Sequence, residues 1–253
     1  MAARRNNRGR RRNRGRFGFL YVLLSFLLIV AALVVGSVVF FRADRITVLG
    51  QQRYTAEEII SAAQVDTGDN LFRISASRTA RKIMTALPYI RSASVSPAFP
   101  NELVITVTES RAAASIQGDG GWFLLDARGK LVELGDELLR SKAAPVTGLT
   151  PLTPTVGTLL AVAGEEQTKL DALTGLLTAL EEHELLSELT SVDLSASNTV
   201  CFGFAGRFTV KMPLSCDFDY KARALEYVIS QLEENETGLI DLTRSDRNSF
   251  IPS

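Results

Sequence analysis

Residues 90–109 read IRSASVSPAFPNELVITVTE, and the local pattern around this stretch decides the fold. Ile90 to Ser96 and Leu103 to Glu109 read as strands, the second dominated by β-branched residues that suit a pleated sheet. Pro97-Ala-Phe-Pro-Asn101 between them is turn-forming. Working upstream, Pro88 stops a helix of about Ser77 to Leu87, which places Ala80, Ile83, Met84 and Leu87 on one face. Asp66 to Asp69 is a turn. Before it, Thr55 and Glu58 have capping-box spacing and open a helix with Ile59, Ile60 and Ala63 as apolar positions. Arg45 to Leu49 is a short strand stopped by Gly50. The order is β-α-α-β-β.

Further upstream the composition splits. Phe17 to Phe41 reads FGFLYVLLSFLLIVAALVVGSVVFF without a charge, between Arg16 and Arg42. At 1.5 Å per residue it spans roughly 37 Å, against a hydrocarbon core of about 30 Å. Its bulky end, Val38 to Phe41, lacks the small residues of a cleavage site, so the run reads as an uncleaved signal anchor. Eight of the 28 Lys and Arg lie in the first 16 residues, which hold no acid, leaving 20 basic against 28 acidic residues beyond the run. The positive-inside rule then places 1–16 in the cytoplasm and 42–253 outside. Arg10, Arg11, Arg12, Arg14 and Arg16 set topology and touch anionic lipid. With no aromatic residue before Phe17 for a base to stack on, nucleic acid is not an expected partner. An acidic body behind a membrane anchor also argues against a freely soluble enzyme.

These residues resemble a known family. Ile46-x-Val48-x-Gly50, Leu87-Pro-Tyr-Ile-Arg-Ser-Ala-Ser-Val95 and Phe99-Pro-Asn-Glu-Leu-Val-Ile-Thr-Val-Thr-Glu109 are similar to the POTRA domain of the FtsQ/DivIB bacterial cell-division proteins. Trp122 to Gly129 resembles that family's strand and turn ending in Asp-x-x-Gly. Ala144 to Leu149 resembles its Leu-Pro-x-x-x-Gly element with one residue fewer, and Ile240-Asp-Leu242 its closing strand. Departures fall at Pro97-Ala98, where basic residues are common, and at Ser110 to Ala113, where Arg and Pro often follow the Glu.

Read without the family, the remainder is still a folded α+β region. Ala113–Gln117, Trp122–Leu125 and Lys130–Leu134 are short strands, with Asp126 to Gly129 supplying a hairpin turn and Gly118 to Gly121 another. Leu149 to Gly157 is irregular. About Glu165 to Glu184 is an amphipathic helix with Leu170, Leu173, Leu176, Leu177 and Leu180 on its apolar side. Strands follow near Leu189–Leu194, Val200–Phe204 and Phe208–Met212. Asp217 caps a last helix, Phe218 to Leu232, which buries Ala222, Leu225, Val228, Ile229 and Leu232. Gly238 to Leu242 is a closing strand. The expected organisation is a basic tail at 1–16, a membrane helix at 17–41, a POTRA domain at 42–112, a mixed, mostly antiparallel β subdomain with flanking helices at 113–242, and a mobile tail at 243–253.

Candidate chemistry is sparse. His183, the only His, sits in Glu-Glu-His-Glu at a helix end, where a charged solvated surface is the simpler setting than a catalytic triad. One His and two Cys show no paired metal-ligand spacing. No Gly-rich loop precedes a helix as a phosphate cradle requires, and the adjacent acidic pairs Glu165-Glu166 and Glu233-Glu234 point in different directions. No cofactor or small-molecule substrate is expected. Cys201 and Cys216 face the oxidising side, where a disulfide is open to them. A hairpin turning near Ala205-Gly206 sets Cys201 opposite Thr209 or Val210 and favours it as a small buried residue instead. Trp122 is read as core beside a hairpin, with an interface anchor as the alternative.

What remains is recognition through strand edges. The resemblance implies that the extracytoplasmic domain binds membrane partners of the division complex, chiefly single-pass coiled-coil proteins, at the septum. On this sequence Leu239, Ile240, Asp241, Leu242, Phe250 and Ile251 are the partner-binding candidates, with the edge of the closing strand left free. Phe250→Asp or Ile251→Lys is then expected to weaken partner capture while folding persists. Leu103, Ile105 and Val107 form a second candidate surface. The expected function is a non-enzymatic scaffold of septum formation. The alternative is another anchored POTRA protein, an envelope chaperone or secretion component that captures extended chains.

Overall fold

The computed structural model describes residues 15–233, 235–244 and 249–252, with side chains of 15–17 and 37–39 outside that description. Arg10, Arg11, Arg12 and Arg14, together with the side chain of Arg16, therefore lie outside the described residues. The uncharged run folds as α1, Gly15–Phe40. Its Gly18–Gly36 segment has a mean hydropathy of 2.8 and no buried residues, long and apolar enough to cross a membrane.

Beyond it the chain makes β1 (Arg45–Leu49), α2 (Ala56–Ala63), α3 (Ala76–Ala86), β2 (Ile90–Ala98) and β3 (Glu102–Glu109). The reciprocal capping box of Thr55 and Glu58 starts α2 as expected. Ile83 of α3 and Ile59 of α2 are fully buried against Val95, Leu103, Ile105 and Val107. The strand order is β1-β3-β2, with β1 parallel and β2 antiparallel to β3. β3 is therefore central, and Leu103, Ile105 and Val107 are core residues rather than a partner surface. The hairpin partner β2 takes one side of β3, and β1 crosses over from far upstream, Arg45 pairing with Glu102, to take the other.

The second sheet has nine strands in the order β12-β11-β10-β9-β8-β7-β4-β5-β6. These are β4 (Ala114–Gly118), β5 (Gly121–Leu125), β6 (Leu131–Gly135), β7 (Ala144–Thr147), β8 (Leu189–Asp193), β9 (Thr199–Phe204), β10 (Phe208–Pro213), β11 (Gly238–Asp241) and β12 (Ser249–Pro252). Three neighbouring pairs, β4 with β7, β7 with β8 and β10 with β11, are parallel, and the rest are antiparallel. A short helix α4 (Glu137–Arg140) and β7 fill a stretch where sequence periodicity is too short to register. Ala205 and Gly206 both take positive φ at the centre of the turn that the Arg207 amide closes onto the Phe204 carbonyl, and three residues separate the paired Phe204 and Phe208.

Two long helices, α5 (Gln167–Glu182) and α6 (Phe218–Ser230), pack together over this sheet. The leucine stripe of α5 and Leu225 of α6 share one core with Phe123, Val192, Phe202, Val210 and Ile240. Close approach is possible because Gly175 has no side chain; a Cβ there would lie 2.7 Å from the Phe218 ring. His183, expected on a solvated surface, bridges the two helices instead, its Nε2 2.8 Å from Asp219 Oδ1. That contact, with Arg223, holds the Asp219 carboxyl below the usual carboxylate range.

Alternation along β5 sends Phe123 and Leu125 to this core and Trp122 and Leu124 to the opposite face. There, Trp122, Leu124, Val132 and Leu139 pack against Tyr89 of the first module. Trp122 Nε1 donates to Glu137. A polar chain closes the same junction. Arg91 grips Glu181 of α5 with one nitrogen at 2.6 and 3.0 Å and donates through Nε to Ser110, which donates to Asp126. Lys130 Nζ reaches the Ile90 carbonyl, and the Tyr89 hydroxyl donates to Glu133, which also meets Arg53. Burial, followed by the bond to Glu133, pushes the Tyr89 hydroxyl well above its ordinary pKa. The first module is thus fixed at the β5–β6 end of the large sheet.

Candidate partner-binding edge

The far end of that sheet is built from the last fifty residues. Asp217 caps α6 by accepting from the Tyr220 amide, and α6 carries the chain back so that β11 lies parallel to β10. Ile240 and Leu242 are fully buried, while Leu239 and Asp241 lie on the opposite, partly covered face. β11 stops in a local turn. Asp241 Oδ1 accepts from the Thr243 amide at 2.9 Å and from its hydroxyl at 2.6 Å. These two bonds hold the Asp241 carboxyl below the usual carboxylate range.

The chain then returns, and residues 249–252, read from sequence as part of a mobile tail, form β12 antiparallel to β11. Phe250 sits opposite Ile240 and packs edge-on against Phe208, ring centroids 6.1 Å apart. The small residue at Gly238 lets the strands approach, since a Cβ would lie 2.2 Å from the Ile251 carbonyl oxygen. Two cations brace the loops around this corner. Lys221, buried on α6, donates to the Arg244 carbonyl at 2.7 Å, and Arg207 donates to the carbonyls of Glu233 and Glu236. Lys221, Arg207, Phe208 and Gly238 were not identifiable as site residues from local periodicity; the Asp-x-Thr spacing at 241–243 was the one available signal.

Two expectations change here. β11 has no open edge, because β10 occupies one side and β12 the other. The outermost strand is β12, and its side chains divide: Phe250 belongs to the core, whereas Ile251 is 53% exposed. Phe250→Asp would therefore unseat β12 rather than spare folding, and Ile251 is the side chain that this strand presents to solvent. From β6 to β12 the sheet takes eight steps of about 4.8 Å, placing this edge roughly 38 Å from the first module.

The cysteines are free. Cys201 pairs across from Lys211 and is half-buried, because Val200, Phe202 and Phe204 take the inward positions of β9. This corrects the expectation of a buried Cys201. Burial raises both thiols above their ordinary pKa. Among the described residues, no group of three or more His, Cys, Asp or Glu gathers as a metal ion would require.

Residues 41–110 match the family described as POTRA domain, FtsQ-type. The cell division protein FtsQ of Syntrophotalea carbinolica is 29% identical over 210 residues, covering 80% of this chain and 70% of that protein. DivIB of Clostridium acetobutylicum is 22% identical over 204 residues, covering 81% and 80%. FtsQ of Corynebacterium glutamicum is 28% identical over 118 residues, covering 47% of this chain and 51% of that protein, so the match spans about half the length of that relative. Among solved structures, the major extracytoplasmic domain of DivIB from Geobacillus stearothermophilus aligns with a TM-score of 0.31 at 16% identity, over 51% of this chain and 98% of that one. Residues 41–110 thus carry an FtsQ-type POTRA domain, and along most of its length the chain is similar to the FtsQ/DivIB cell-division proteins.

Proposed function

We propose that this chain is a bitopic scaffold of the bacterial division complex that captures an extended segment of a membrane partner on the open edge of β12. Residues 1–16 lie in the cytoplasm, and two extracytoplasmic subdomains, 42–112 and 113–242, act as one rigid arm. The observation that carries the reading is the strand order. β12 is outermost, pairs on one side only among the described residues, and presents Ile251 to solvent. An added strand gains main-chain hydrogen bonds from such an edge and specificity from alternate side chains. The partners are single-pass coiled-coil division proteins held in the same membrane plane. Confinement by α1 raises their effective concentration, so a short edge suffices for assembly at the septum. The role is one of assembly, without a reaction catalysed by this chain.

Ile251→Lys tests the edge without unseating it. Burying an isoleucine contributes about 1.5–3 kcal/mol, so its loss is expected to weaken capture of co-expressed division partners roughly tenfold or more. Tyr227→Lys, at an exposed position of α6, serves as the control. Co-purification of the partners with the detergent-solubilised full chain reads the difference; equal recovery with both variants would remove Ile251 from the interface.

A further inference from the structure

The junction between α1 and the first module has no slack. Phe41 follows the last residue of α1, and its carbonyl accepts from the Leu71 amide at 2.9 Å. Ala43 donates to Asp69 and accepts from Gly68, while Asp44 and Arg45 donate to the Asn101 carbonyl. Asn101 Nδ2 returns a bond to the Asp44 carboxylate at 3.1 Å. Two loops, 64–75 and 99–101, are therefore bolted to the first residues after the helix.

Each loop carries a phenylalanine to the same point. Phe72 lies 5.0 Å from Phe41 and 5.4 Å from Phe99, and Phe41 lies 5.5 Å from Phe99, all between ring centroids. None of the three belongs to the module's core, and Phe72 and Phe99 are 61% and 56% exposed. Leaving a phenylalanine in water forgoes the favourable free energy of burying it. Three touching rings from three separate segments make a contiguous apolar patch, which on a soluble surface marks an interaction site.

Its position identifies the occupant. If Gly18–Gly36 fills the hydrocarbon core, Phe41 stands five residues, or about 7.5 Å, beyond it, within the interfacial layer of roughly 5–7 Å and its outer border. Interfacial segments place aromatic and apolar side chains at this boundary, where the rings leave water while nearby polar groups remain hydrated. Arg42 and Arg73, each next in the chain to one of the rings, line one cleft together with Asp69 and Asn70.

We infer that Phe41, Phe72 and Phe99 form a foot that inserts into the interfacial layer of the lipid bilayer and holds the first module against the membrane surface. This rests on the reading of α1 as a membrane span. The foot makes the anchor an orienting device as well as a tether: with the first module seated and the second fixed to it, the β12 edge is presented at a set distance from the lipid.

The test uses the full chain reconstituted in phosphatidylcholine vesicles whose lipids carry bromine either near the top of the acyl chains or near their ends. Phe72→Trp and Phe99→Trp report on the foot, Leu28→Trp on the middle of α1, and Leu49→Trp on the exposed far end of β1. The native Trp122, buried at the junction of the two modules, supplies a common background. Both foot indoles are expected to be quenched at least twofold more than the Leu49→Trp indole, and most strongly by the shallow bromines. Leu28→Trp is expected to respond most to the deep ones. Foot indoles quenched no more than Leu49→Trp, with Leu28→Trp quenched normally, would overturn the foot and leave the span intact. Failure of Leu28→Trp to be quenched would overturn both.

Discussion

Asp126→Ala is expected to destabilise the extracytoplasmic region by about 3 kcal/mol, because it strips the acceptor from the centre of the junction. Asp126 is 1% exposed, and its two oxygens accept from the Arg128 and Lys130 amides at 3.0 and 2.9 Å and from the Ser110 hydroxyl at 2.7 Å. Alanine leaves those donors facing a void and removes the carboxylate beside Arg91 and Lys130. Burial holds the Lys130 amine below its ordinary pKa, and Asp126 is the charge that opposes this. Asp126→Asn keeps an oxygen acceptor for the turn amides and is expected to cost only about 1 kcal/mol. Urea unfolding followed by Trp122 emission measures both, since Trp122 belongs to the same junction. Equal stabilities for the two variants would show that the carboxylate's hydrogen bonds do not hold the modules together.

The second large effect is expected from Gly238→Ala. A Cβ at this position meets the Ile251 carbonyl oxygen at 2.2 Å and the Pro252 Cα at 2.9 Å, both backbone atoms of β12. Neither is the end of a flexible side chain, so the strand must move off β11, and Phe250 then leaves Phe208. Amide exchange at 249–252 is expected to lose its protection while Leu189 to Pro213 of the sheet keep theirs, and partner capture is expected to fall at least as far as with Ile251→Lys. Gly206→Ala is the control, because Gly206 also has positive φ but open space around it. Retained protection at 249–252 in Gly238→Ala would mean that β12 docks without this close approach.

The β-α-α-β-β unit was legible because its signals are local. The Thr55 and Glu58 box, the Ala80 and Ile83 face and the β-branched run at 103–107 each declare an element within a few residues. The same holds for the leucine stripe of α5 and the turn at Ala205-Gly206. Strand order was not legible in this way. Whether β3 is an edge depends on β1, which pairs with it from far upstream, so Leu103, Ile105 and Val107 read as a surface when they are core. β12 was missed because four residues ending in Pro252 carry too little alternation to announce a strand. Only the Asp241–Thr243 turn and the aromatic contact of Phe250 with Phe208 reveal it. Cys201 shows the reverse error: its alternation with Val200 and Phe202 pointed outward, and a preference for burying cysteine obscured that pattern.

If the β12 edge captures division partners, its removal is expected to release the protein from the division site. This is tested most directly by imaging a fluorescent fusion at the N-terminus in dividing cells, at native expression, for the full chain and for a chain ending at Arg244. A mid-cell band is expected from the full chain, and loss of that band when β12 is removed. A truncated chain that bands as strongly as the full one, or a full chain spread evenly around the envelope throughout the cell cycle, would contradict it.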